Sequence, residues 1–209
     1  MVRRRFGKSM RIIGGKAKGR LFHFDSSSRE RPTSDFLRET LFNLLGDIGG
    51  KVFVDLFAGS GSVGLEAASR GAKEICFVEK SRKLASFIKK NAETCGLAEN
   101  CLILMTDVEK GLRNLCAKHY VADIIFADPP YQQGEVQETL KLLDRYRIQK
   151  KETIIVVQHS VKEKYDVSSG NFRICDDRKY GDHALTFLTW REENGGEFHQ
   201  ESSHLPGFF

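Results

Sequence analysis

No apolar run in this sequence approaches the roughly 18 consecutive residues that a membrane-spanning helix needs, so spanning helices are not expected. Cysteine is sparse and unpatterned: Cys76, Cys95, Cys101, Cys116 and Cys175 are odd in number and contain no Cys-x-x-Cys pair. With no secretory signal peptide at the N-terminus, that usage predicts free thiols in a reducing compartment, and so a cytoplasmic protein with no disulfide frame. Zinc needs clustered ligands. None of the six histidines lies near a cysteine pair, and His199 and His204 fall in a polar tail, so no metal is expected. Internal repeats are also lacking. The 40% hydrophobic and 29% charged content excludes collagen-like and wholly disordered chains, and 209 residues suffice for one sizeable α/β domain with a small appendage.

Acidic residues are missing where they matter most for the charge balance. Residues 1–20 hold Arg3, Arg4, Arg5, Lys8, Arg11, Lys16, Lys18 and Arg20 and no acidic side chain, a net +8. The remainder carries a net −3, so the overall +5 is a property of the N-terminus. Such an arm suits phosphate contacts with nucleic acid, where each neutralised phosphate releases counterions. An organelle transit peptide and a solvated tail are the alternatives. Against a cleaved peptide, Ile12-Ile13-Gly14-Gly15 followed by Lys16-Ala17-Lys18-Gly19-Arg20-Leu21 reads as a turn between two short strands. Met10 is also a possible start, which makes residues 1–9 an accessory.

Over 34–48, Leu37, Leu41, Leu44, Leu45 and Ile48 recur at helical spacing, with Arg38, Glu39 and Asn43 elsewhere around the helix and Gly49-Gly50 as its stop. Short apolar runs then alternate with amphipathic helices. The runs are 51–56, 74–79, 101–105, 122–127 and 153–158, and the helices are 62–70, 81–95 (Ser81 as N-cap, Gly96 as stop), 108–118 and 135–146. This alternation predicts right-handed crossovers and a parallel sheet. Residues 171–176 and 184–190 flank a turn-like segment and predict a closing antiparallel hairpin. The expected fold is therefore α/β and Rossmann-like, with a seven-stranded, mostly parallel sheet. Its expected organisation is a basic arm and hairpin over 1–31, a catalytic domain over 32–191 and a polar tail over 192–209.

Gly59-Ser60-Gly61-Ser62-Val63-Gly64 follows a strand and opens a helix, the setting in which a glycine loop lets a cofactor approach backbone at the positive end of a helix. Glu79 ends the next strand, where a carboxylate can accept both hydroxyls of a ribose. A nicotinamide dehydrogenase fits these facts, as does any adenosine-containing cofactor. Asp55 separates the two. Just before the loop, a carboxylate repels a pyrophosphate and favours a cationic amine such as that of a methionyl group, unless it merely caps backbone amides.

Asp128-Pro129-Pro130-Tyr131 follows the fourth run, on the rim where ligands of open α/β sheets bind. Two successive prolines remove two backbone donors and stiffen the loop. The Asp128 carboxylate and the Pro129 carbonyl can each accept one proton of an exocyclic amine while Tyr131 stacks on its ring. Holding both protons turns the nitrogen lone pair out of conjugation and towards an electrophile. The plainer alternative is a turn that ends a strand.

Together, Asp55-x-Phe57-Ala58-Gly59-Ser60-Gly61 and Asp128-Pro129-Pro130-Tyr131 resemble the S-adenosylmethionine-dependent amino-methyltransferases of the class I fold. Arg11-Ile12-Ile13-Gly14-Gly15, Arg31-Pro32-Thr33 and Arg38-Glu39-x-Leu41-Phe42-Asn43 narrow the match. They resemble the bacterial family that methylates the exocyclic amine of a guanine in small-subunit (16S) ribosomal RNA. The resemblance runs from Arg11 through Trp190. It implies that Phe57 to Gly61 hold the methionyl part of S-adenosylmethionine, that Glu79 holds its ribose and that Asp107 lies near its adenine. Thr33 and Arg38 line the site, and Asp128, Pro129, Pro130 and Tyr131 hold a flipped guanine. The implied partner is ribosomal RNA, within an assembling small subunit or free, with phosphate contacts from Arg11, Lys16, Lys18 and Arg20. Gln158 is a departure, standing where the resemblance leads one to expect an acidic residue. The tetrad alone is also compatible with adenine or cytosine as the target.

Overall fold

The computed structural model describes residues 9–24, 33–131, 134–168 and 170–191. Arg3, Arg4, Arg5, Lys8, Arg31, Pro32 and the expected tail at 192–209 lie outside the described residues. The chain divides into two compact units, residues 1–107 and 108–209.

The first unit runs β1 (Ser9–Arg11), β2 (Leu21–His23), α1 (Asp35–Leu45), β3 (Val52–Asp55), α2 (Ser62–Ser69), β4 (Glu74–Val78), α3 (Arg82–Thr94), a 3-10 turn (Ala98–Asn100) and β5 (Cys101–Leu104). The second runs α4 (Val108–Ala117), β6 (Ala122–Ala127), α5 (Glu135–Arg145), β7 (Gln149–Ser160), β8 (Phe172–Tyr180) and β9 (His183–Trp190). Strand order in the seven-stranded sheet is β5-β4-β3-β6-β7-β9-β8. Neighbours β3–β4, β4–β5 and β6–β7 pair in parallel, while β7–β9 and β8–β9 are antiparallel. The expected mostly parallel sheet with a closing hairpin is thus present. No helix among the described residues is long and apolar enough to cross a membrane, and all five cysteines are free thiols.

Consecutive residues of β3 and β4 are buried, from Phe53 to Asp55 and from Ile75 to Val78, because a parallel strand is covered on both faces. The edge strand β8 behaves differently. Arg173, Arg178 and Lys179 are exposed on it, and charge on an edge discourages pairing with another chain.

Two expectations for α1 need correction. The helix ends at Leu45, since Gly46 takes φ 66° and donates its N–H to the Phe42 carbonyl; Gly49-Gly50 lies beyond it. Arg38 is not on an outer face but completely buried, its Nη2 donating to the Arg11 carbonyl and to Asp35 Oδ1, both at 2.8 Å.

The N-terminal segment does form a hairpin, β1 pairing with β2 from Ser9↔His23 to Arg11↔Leu21. It is fastened to the first unit by buried polar groups that face no solvent. Glu66, fully buried in α2, accepts from the N–H groups of Ile13 (2.8 Å) and Gly14 (2.7 Å) and from Arg70 Nε (2.8 Å). At the end of the same helix, Lys16 donates its N–H to the Ser69 carbonyl, and Ala17 donates to Ser69 Oγ. Asn91 on α3 serves β2 as a strand would, accepting from His23 N–H and donating to its carbonyl. Every residue of α2 is buried, which explains its small and apolar composition, Ser-Val-Gly-Leu-Glu-Ala-Ala-Ser.

Removing one member of a buried, hydrogen-bonded charge pair typically costs about 3–5 kcal/mol. Glu66→Ala strands Arg70 and two hairpin amides, so a loss of that size is expected in urea unfolding. A loss below about 1 kcal/mol, within the usual range of a surface substitution, would show that the hairpin is held by other means.

Candidate functional site

The glycine loop spans the end of β3 and the start of α2. Gly59 and Gly61 have φ of 51° and 76°. A Cβ on Gly61 would also sit 3.0 Å from Ile88 Cγ1, and one on Gly64 would lie 2.2 Å from the Phe77 ring, so this turn and this helix–sheet contact require glycine. Ala58 donates its N–H to the Val78 carbonyl, which ties the loop to the end of β4. Phe57 and Ser60 are half-exposed beside it.

Two carboxylates hold this loop from below. Glu79, buried at the end of β4, accepts from Gly59 N–H at 2.8 Å through Oε2 and from Ser81 N–H at 2.7 Å through Oε1. Each carboxylate oxygen can accept a second bond, so the same group can hold the loop and meet a diol. Asp55, also buried, accepts from Gly64 N–H at 3.1 Å. The capping alternative for Asp55 therefore applies: its carboxylate takes a donor at the α2 N-terminus. Burial pushes its carboxyl up to about 7, against the Gly64 hydrogen bond and with help from the Glu79 charge. Asp107 is exposed, directly before α4. Thr33 is buried, one residue before Ser34, whose side chain caps α1 by accepting from Leu37 N–H.

The basic candidates stand apart from this loop. Lys16, Lys18 and Arg20 are exposed. Lys16 is bonded through its backbone to Ser69, the last residue of α2, whereas the glycine loop meets the first. Eight helical residues span about 12 Å, so the structure does not bring these side chains to the loop. Arg11 is exposed and pairs with Asp35 at 3.3 Å.

In the second unit the tetrad follows β6. Register pairs Ala127 with Val157, so Asp128 and Gln158 stand level at the carboxyl ends of β6 and β7. Gln158, buried, donates Nε2 to Asp128 Oδ2 at 3.0 Å and lies 3.4 Å from the Tyr131 hydroxyl. That hydroxyl meets His183 Nδ1 at 3.0 Å, with ring centroids 5.7 Å apart. Pro129 is buried and Pro130 exposed. Tyr131 keeps 55% of its surface exposed, enough for a planar ring to stack on it. Burial, then the Asp128 charge, raise its hydroxyl above the ordinary range, against the bond from Gln158. His183 was not among the sequence candidates. It begins β9 directly after the Gly181 turn, and only antiparallel pairing with β7 carries it to the tetrad.

The family model described as Conserved hypothetical protein 95 matches residues 10–189. The chain belongs to this family. Ribosomal RNA small subunit methyltransferase D of Escherichia coli is 33% identical over 189 residues, 90% of this chain and 92% of that protein. The protein of the same name from Buchnera aphidicola is 38% identical over 153 residues, 73% of this chain and 78% of its own. Among solved structures, a hypothetical protein of Thermus thermophilus superposes with a TM-score of 0.72 at 31% identity, covering 85% of this chain and 98% of that one. The family resemblance carried by the Asp55–Gly61 loop, the tetrad and the N-terminal strings is borne out, and the matched span coincides closely with the one read from the sequence.

Asp55 makes stability depend on pH in a definite direction. Its ordinary value is 3.8 and its folded value about 7. Below 3.8 both states hold the proton; as pH rises towards 7 the unfolded chain releases it and the folded chain does not, so stability falls by on the order of 4 kcal/mol. Asp55→Asn is expected to flatten that decline in urea unfolding between pH 4 and 8. Parallel profiles for the variant and the parent would overturn this account of the group.

Proposed function

We propose that this protein transfers the methyl group of S-adenosylmethionine to the exocyclic amine of a guanine in small-subunit ribosomal RNA. Family membership supports methylation of ribosomal RNA, and the observation that carries the amine is the arrangement of Asp128 and Tyr131 at the end of β6. S-adenosylmethionine supplies a methyl group on a positively charged sulfur, ready for direct displacement by a nitrogen lone pair. The residues of the first unit fit this group. Glu79 has acceptor capacity for a ribose diol while it holds Gly59, and Asp55 offers a buried carboxylate to the methionyl amine. Thr33, Arg38 and Asp107 complete the proposed cofactor set. A dinucleotide fits less well, because Asp55 already occupies the Gly64 N–H that a pyrophosphate would take at the α2 N-terminus.

Asp128 and the Pro129 carbonyl accept the two amine protons, turning the nitrogen lone pair outward and stabilising the positive charge that develops there. Asp128 then takes the proton that the methylated amine sheds. Tyr131 stacks on the ring, an interaction worth about 1–3 kcal/mol, and the guanine leaves its own stack to reach it. Arg11, Lys16, Lys18 and Arg20 contact phosphates of the same RNA.

The deciding experiment incubates the full chain with methyl-labelled S-adenosylmethionine and small-subunit ribosomal RNA, free or in particles, and separates the nucleosides. Label in N2-methylguanosine is expected; label in a methylated adenine or cytosine would overturn the base, and absence of label the activity. Asp128→Ala is expected to lower turnover about 10²–10³-fold with cofactor affinity retained.

Phosphate contacts are tested by charge, not by truncation, since Ile12 and Phe22 are core residues. Replacing Lys16, Lys18 and Arg20 with Gln is expected to reduce the salt dependence of RNA binding by a slope of about 1 per lost contact. An unchanged slope would remove these residues from the RNA interface.

A further inference from the structure

Asp128 grips an amine, but an amine does not identify a base. Adenine, cytosine and guanine all carry one. They differ at the adjoining ring nitrogen on the same edge: in adenine and cytosine it is a bare acceptor, whereas in guanine it carries a hydrogen. A fixed hydrogen-bond acceptor beside the amine grip therefore accepts guanine and opposes the other two.

Gln158 supplies such an acceptor. An ionised Asp128 accepts only, so the Gln158 amide must turn Nε2 towards it, as the 3.0 Å bond shows. That leaves Oε1 as the other end of the amide. Among the described residues, Gln158 Oε1 is buried and has no hydrogen-bond partner. Covalent geometry separates the amide nitrogen and oxygen by about 2.3 Å, so Oε1 lies within roughly 5 Å of the Asp128 carboxylate oxygen. An amine nitrogen and its neighbouring ring nitrogen, bonded to one carbon, are about 2.3 Å apart, and hydrogen bonds diverging from them span the wider gap between the two acceptors. An orphaned buried acceptor is unfavourable, and few native structures keep one without a use for it.

We infer that Gln158 determines base specificity: its Oε1 accepts the ring N–H of the target guanine while its Nε2 holds Asp128 in line for the amine. The Tyr131 hydroxyl, at 3.4 Å from Nε2, is the looser of the two contacts on the amide. It can follow its ring onto the base by giving up that contact and the one to His183, without releasing Asp128. The inference rests on the reading of Asp128 to Tyr131 as an amine site and deepens it.

The probe is small-subunit ribosomal RNA rebuilt by ligation with either guanine or 2-aminopurine at the modified position. 2-Aminopurine keeps the amine but has a bare ring nitrogen beside it. The parent protein is expected to prefer guanine at least 100-fold in kcat/KM. In Gln158→Leu that preference falls below tenfold, because the acceptor is gone. Gln158→Glu places a coupled carboxyl pair there, so its preference is expected to change with pH where the parent's does not. 2-Aminopurine also lacks the carbonyl oxygen of guanine, so the readout is the change in the ratio between variants. N2-methylguanosine from the parent with an unchanged ratio in Gln158→Leu overturns the inference alone, as does a preference in Gln158→Glu that matches the parent's at every pH. No N2-methylated product from the parent on either RNA overturns the functional reading and the inference with it.

Discussion

The first unit is organised around two carboxylates buried under one loop. Asp55 and Glu79 take backbone N–H groups from Gly64, Gly59 and Ser81, and these bonds fix the glycine turn. The arrangement is not the most stable one available. Asp55 is driven towards its neutral form by burial, and the Glu79 charge adds to that. A cationic group placed against Asp55 relieves both effects at once, returning the carboxylate to its ionised form. If Asp55 meets the methionyl amine as proposed, binding and stability are set against each other at this residue.

The opposite end of α2 carries the positive charge. Glu66, Ser69 and Asn91 turn the N-terminal hairpin from an arm into part of the unit's framework, with Ile12 and Phe22 in its core and Arg38 stacked over the Phe22 ring at 5.8 Å. Charges presented on a fastened turn need little ordering on binding, so less of the phosphate attraction is lost to entropy. About 12 Å of helix separates them from the loop.

The sheet was readable because parallel strands buried on both faces leave continuous apolar runs, and five of these, with their intervening helices, lie within a few residues of their predicted places. The loop and the tetrad were readable because glycine and proline announce backbone geometry directly. What escaped detection depends on partners far away in the chain. Arg38 lies off the apolar stripe by helical spacing, and its bond to the distant Arg11 carbonyl, which the spacing does not show, helps hold it in the interior. Glu66 and Asn91 look like surface residues of their helices for the same reason. His183 and Gln158 reach the tetrad through strand register, which periodicity does not encode. α1 stops before the expected Gly49-Gly50 because Gly46 already takes a positive φ and donates its N–H to the Phe42 carbonyl.

Gln158 also explains why an amide suits this position where a carboxylate was expected. A second carboxylate 3 Å from Asp128 would form a coupled pair sharing protons. The face it turned to the base would then change between donor and acceptor with pH. An amide has no such freedom. Its donor end is committed to Asp128 and its acceptor end is consequently fixed, at any pH where Asp128 is ionised. On the proposed reading, the tetrad supplies the grip on the amine, while one residue on the neighbouring strand decides which ring nitrogen is acceptable beside it. Chemistry and selectivity would then reside on separate strands, coupled by the hydrogen bond between Gln158 and Asp128.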